Sequence, residues 1–199
     1  MTRMILGMIA AVLLPLAAGA QQPTPTPAAV QPPAATAAQT PSQPDPNPLS
    51  NVMRRVLDRR AKAMIPAAEL MPVDKYSYRP TPDQMTYAHL EIHIAETNNF
   101  LCSGISGTAA PTDQKLADTD TKEKLVAAVK SSFEYCTQAM AKVDDSKLSE
   151  QVPFFGGDKI SRAGAMVVLA SALSDHYGAQ AMYLRLNGIV PPTGNPKKD

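Results

Sequence analysis

The sequence predicts an all-α protein built as a four-helix bundle. Between Ser50 and Leu186, apolar residues recur at spacings of three and four over four stretches, and no stretch convincingly alternates with the period of two that marks a half-buried strand. Clusters of Gly and Pro separate these stretches. Trp is absent and aromatics are only 5% of the 199 residues. The core is therefore expected to be Leu, Met, Val, Ile and Ala, as in many bundles.

Two segments precede the predicted domain. Residues 1–20 read as a signal peptide, with Arg3 as the positive head, an apolar run from Met4 to Ala17, and Ala18-Gly19-Ala20 as small residues at the cleavage site. Cleavage is expected before Gln21. An uncleaved anchor is the alternative, but the apolar run falls short of the ~20 residues a membrane span needs. No Cys follows the run, so lipid attachment is not expected. Residues 21–49 hold nine of the nineteen prolines and a single charge, Asp45. Such density favours extended polyproline conformations, so this tract reads as a disordered, semi-rigid linker. The domain is expected over residues 50–193 and a short tail over 194–199.

In the first helix, Ser50 is expected as the N-cap, and Val52, Met53, Val56, Leu57, Met64, Ala67, Ala68 and Met71 form the apolar side. Pro66 inside it is expected to kink the helix, because the ring displaces a hydrogen bond. A Pro-rich loop, Pro72 to Pro82, leads to a second helix from about Asp83 to Cys102, which Gly104 and Gly107 close. Asp120 and Glu123 have the spacing of a capping box for the third helix. Its stripe Leu125, Val129, Phe133, Cys136, Met140 and Val143 is continuous. After a turn-rich connection from Asp144 to Gly157, the fourth helix is expected from about Lys159 to Leu186. Asn187-Gly188 and Pro191-Pro192 stop it. The loop aromatics Tyr76, Tyr78, Phe154 and Phe155 are expected to cover bundle ends, and Arg185 to offset the last helix's dipole.

Charge excludes one class of partner. Without Arg3 the chain has 18 basic and 18 acidic residues, and this balance argues against nucleic-acid binding. No second long apolar run follows the first, so no stable membrane insertion is expected after cleavage. An exported location, periplasmic or extracellular, would also oxidise thiols. Cys102 and Cys136 are then expected to join as a disulfide tying the second helix to the third, contributing roughly 3–4 kcal/mol. Two buried free thiols are the alternative. Bundles of this kind often dimerise, but no dimer seam is legible in the sequence.

The three histidines, His89, His93 and His176, all fall on predicted helices. His89 and His93 lie one turn apart on one face. His176 lies on a stripe with Leu169, Leu173, Gln180 and Tyr183 that is expected to face the interior. Three imidazoles converging there would suit Zn, Ni or a similar divalent ion with positions left for water. The bland alternative is histidines satisfied by hydrogen bonds or by solvent. The run His89-Leu90-Glu91-Ile92-His93 lacks the metalloprotease spacing, since Glu91 points off the histidine face.

The segments Tyr78-Arg79-Pro80-Thr81-Pro82, Leu90 to Phe100, Asp175-His176-Tyr177-Gly178 and Tyr183 to Pro192 resemble DinB/YfiT-like proteins over residues 50–193. The resemblance implies a four-helix bundle with a long crossover and a divalent metal held by one histidine of the second helix and a His-x-x-x-His pair on the last. Here His93 matches the first ligand and His176 the last, while Ala172 stands where the remaining histidine belongs. His89 is the auxiliary candidate, with Asp175 and Glu96 as weaker ones. Two functions stay open: a metal-dependent hydrolase or thiol-transfer enzyme acting on an unidentified small molecule, or a metal-free, non-catalytic bundle with a binding or structural role.

Overall fold

The computed structural model describes residues 43–111 and 115–194. The expected signal peptide, most of the linker and nearly all of the tail lie outside the described residues. Four helices dominate: α1 (Pro48–Leu70), α2 (Tyr87–Ser106), α3 (Lys122–Met140) and α4 (Arg162–Leu186). A two-stranded antiparallel hairpin, β1 (Gln151–Pro153) with β2 (Lys159–Ser161), precedes α4. It was not expected, because three-residue strands are too short to display a period. Gly156 and Gly157 supply the left-handed turn, at φ of 68° and 86°.

The helix boundaries move for local reasons. Ser50 does not cap α1. Asp145, from a 3₁₀ turn after α3, accepts the N–H groups of Leu49 and Ser50 at 2.8 and 2.9 Å, so this cap comes from a distant part of the chain. α1 remains helical through Pro66. Val52 is exposed, whereas Met53, Leu57, Met64, Ala67, Ala68 and Met71 are buried. Thr86 caps α2 by accepting from the His89 N–H at 3.0 Å, which starts the helix later than Asp83. Thr121, not Asp120, caps α3. Asp120 instead accepts from the Ala117 N–H and pairs with Lys124. At the far end of α1, Lys122 Nζ donates to the carbonyls of Glu69 and Met71.

Side-chain contacts fix the helix directions. Asn98 meets Ser132 and Cys102 meets Cys136, so α2 and α3 run parallel. Arg60 meets Ser174 and Gln180 meets Met64, so α1 and α4 also run parallel. Arg54 reaches the α3 C-terminus while Lys122 reaches that of α1, making these two antiparallel. Neighbours around the bundle follow the order α1, α4, α2, α3. The connection from α2 to α3 must therefore travel back along the helices as a crossover. The stripe expected on α3 is buried from Leu125 to Val143. Tyr76, Tyr78, Tyr87 and Tyr183 cluster at one end of the bundle, Tyr76 on Tyr87 and Tyr78 on Tyr183 edge to face, with Tyr87 tilted against Tyr183. Among the described residues, no helix is long and apolar enough to cross a membrane.

Candidate functional site

The bundle interior holds a polar pair that the sequence reading passed over. Glu91 lies on the buried face of α2 and is inaccessible to solvent, as is Gln180 on α4. The Gln180 amide donates to both Glu91 oxygens and to the Met64 carbonyl. Burial pushes the Glu91 carboxyl up to about 8, against the lowering effect of its hydrogen bond from Gln180. Position along the helix was the available signal: Tyr87, Glu91, Ile94 and Asn98 recur at four, three and four, all on the core side.

The histidines sit differently from expectation. They do not converge three together in the interior. His93 and His176 meet edge to face across the seam between α2 and α4, with ring centroids 4.9 Å apart and planes at 71°. His93 is exposed there, while His176 is half-buried. The Nδ1 of His176 is buried and has no hydrogen-bond partner among the described residues. Burial first, then the neighbouring His93, pushes the His176 imidazole down to about 4, with Asp175 opposing weakly. The ring is therefore neutral at pH 7, the form in which an imidazole donates a lone pair.

His89 does not join them. Its Nδ1 lies 2.9 Å from Asp118 Oδ1, and both side chains are about half exposed. Ala172, one turn before His176, is partly buried against the core. Asp175 and Glu96 are exposed. Among the described residues, no group of three or more His, Cys, Asp and Glu side chains is placed to hold a metal ion. Two imidazoles meet at this seam, and no third ligand joins them among the described residues. The cysteines do pair: Cys102 and Cys136 form a fully buried disulfide between α2 and α3, with Cα atoms 5.3 Å apart.

The family model of the DinB superfamily matches residues 56–179, which include His93, Ala172 and His176. The chain belongs to the DinB superfamily. Solved DinB-like structures share its fold. One from Bacillus subtilis is 21% identical, covering 69% of this chain and 93% of its own, with a TM-score of 0.57. Another from Bacillus cereus is 14% identical, covering 71% and 95%, with a TM-score of 0.59. A conserved protein from Enterococcus faecalis is 15% identical, covering 69% and 95%, with a TM-score of 0.53. At these identities the likeness concerns the fold alone. No curated protein matches the sequence. The DinB match stops before Gln180, so the partner of Glu91 and the exit run Tyr183 to Pro192 lie beyond it.

Proposed function

We propose that this DinB-like protein acts after export and binds a divalent ion weakly through His93 and His176. The observation that carries the reading is the unpartnered, buried Nδ1 of His176, on a neutral ring in contact with the His93 ring. A buried polar atom without a partner costs stability, and one beside a second imidazole is best explained by a ligand both rings share. The donor set suits Zn or Ni with only two protein nitrogens, which makes the affinity low. A three-histidine site does not fit, because a methyl group occupies position 172.

When bound, such an ion supplies a Lewis acid that lowers the pKa of a coordinated water or thiol, the basis of hydrolytic or thiol-transfer chemistry. The protein's own contributions are limited and specific. His93 is exposed at the seam, so an ion meets its ring directly from solvent. The half-burial of His176 keeps it neutral. Glu91 is committed to Gln180 and sealed from solvent, so it is no general base.

Ala172 favours a second reading, a non-catalytic bundle in which the disulfide and the Glu91–Gln180 pair hold the interior together. Zinc and nickel titrations of the mature protein, followed by calorimetry, separate the two. About one equivalent bound, and lost in both His93→Ala and His176→Ala, supports the metal reading. Absence of binding, or binding that survives both substitutions, leaves the second.

A further inference from the structure

The last helix carries two apolar stripes, and the bundle uses one of them. Leu169, Leu173, Gln180 and Leu184 turn into the core. A second series, Val168, Ala172, Asp175, Ala179, Met182 and Leu186, recurs at four, three, four, three and four, and every member is partly or fully exposed. That spacing is the pattern of a seam between helices, and Asp175 is its single charge. Beside it on α2 runs a shorter exposed series, His89, His93, Glu96 and Phe100, with Met85 just before the helix. Tyr183 reaches Met85, Gln180 reaches Glu91 and His176 meets His93, so α2 and α4 run antiparallel. The two series therefore form one face, with the imidazole pair near its middle.

That face is complementary to itself. Turned end for end about a twofold axis at the level of Tyr177, α4 sets Val168 against Leu186 of a second copy. Ala172 then meets Met182, and Asp175 meets Ala179. On α2 the same axis passes between Ile92 and His93, because His93 and His176 stand level. It sets Met85 against Phe100 of the second copy. It also brings the remaining ring nitrogen of His89, whose Nδ1 is on Asp118, opposite Glu96. Apolar side chains meet apolar ones on both helices, and the carboxylate meets an imidazole.

Magnitudes say what such a contact needs. From Val168 to Leu186 the stripe is about 27 Å long, and two helices make the face roughly 20 Å wide. Two copies would then bury about 1000 Å² in total, the lower end of specific interfaces. Contact alone is weak. Each copy brings two imidazoles to the axis, and four nitrogens make the tetrahedral set that zinc prefers.

We propose that this face binds a second copy of the chain, and that one divalent ion on the axis joins His93 and His176 of both. The inference rests on the histidine reading above: Ala172 removes a ligand within the chain, and the second copy replaces it. The methyl group at 172 also leaves room for Met182 of the second copy. A scarce ion is shared, whereas in excess each seam holds its own and the pair separates.

Sedimentation velocity of the mature protein at increasing zinc tests this, with calorimetry alongside. A single chain is expected with chelator, and a doubled mass near half an equivalent of zinc per chain that falls back at large excess. Met182→Glu, remote from the ligand atoms, should abolish the doubling while the single chain binds zinc as before. His93→Ala should abolish both, with thermal melts confirming that each variant is folded. Zinc that binds without doubling the mass would overturn the pairing and leave the histidine site standing. Absence of both would overturn the two readings together. Doubling that survives chelator, His93→Ala or Met182→Glu would overturn the ion-linked pairing through this face.

Discussion

Gln180 donates its side-chain amide to both carboxyl oxygens of Glu91, at 2.8 and 2.9 Å, where neither residue reaches solvent. No cation balances that carboxyl among its hydrogen-bond partners, so burial decides its charge and holds the proton on at neutral pH.

A stability that falls with alkalinity is the first consequence. The unfolded Glu91 loses its proton near the ordinary carboxylate value of 4.5, whereas the folded one keeps it to about 8. The native state thus binds more protons than the unfolded state throughout that window. Its contribution is complete below the lower value and is lost as pH rises towards the upper one. Urea unfolding should show about 1 kcal/mol less stability at pH 8 than at pH 7. Glu91→Gln, which keeps the shape without the titration, should flatten this slope. His176 has the opposite sign, because its folded value lies below its ordinary 6.5. Its effect runs between about 4 and 6.5, with stability rising with pH, and is small above pH 7.

Restoring the third imidazole tests the histidine seam directly. Ala172→His places a ligand one turn before His176 on α4, on the same helix face. Zinc affinity is expected to rise by at least about tenfold over the wild type, since a third protein nitrogen completes the usual set. Calorimetry in the presence and absence of His93→Ala reads it. An affinity indifferent to the new imidazole would mean that the seam does not chelate.

The disulfide should carry a measurable share of the stability. Cys102 and Cys136 are 34 residues apart in sequence, and closing a loop of that size restricts the unfolded chain by roughly 3–4 kcal/mol. Chemical denaturation of the oxidised protein, the reduced protein and Cys102→Ala/Cys136→Ala should give a lower midpoint in both thiol-free and reduced forms. Equal midpoints would show that the reduced chain is already held by packing.

Asp145 joins the start of α1 to the turn after α3, so removing it should loosen both. Although desolvation pushes its carboxyl up, hydrogen bonds from Ser50 and Leu49 bring it net below the ordinary 3.8. Its contribution is therefore present above the ordinary carboxylate range and lost as pH falls through the lowered value. Asp145→Ala should lower the urea midpoint at pH 7, and the gap from wild type should narrow on acidification.

The sequence by itself determined the helical class, the number of helices and the buried stripe of α3, because an amphipathic period is a local property of neighbouring residues. It also determined the stop at Gly188, where the Ile189 N–H closes back to the Leu184 carbonyl at 2.9 Å, and the pairing partners of the disulfide, since there are only two cysteines. The resemblance to DinB/YfiT-like proteins, rather than spacing, pointed to His93 and His176 as the candidate pair. Tertiary structure decided what the local pattern cannot express. It placed Asp145 at a helix start almost a hundred residues away, turned His89 to Asp118, and folded three-residue strands too short to have a period. It also put Glu91, and none of the three histidines, fully in the interior. Each of those outcomes depends on which helix lies beside which. That order follows from the crossover and from total burial, a sum over distant contacts that no short window of sequence contains.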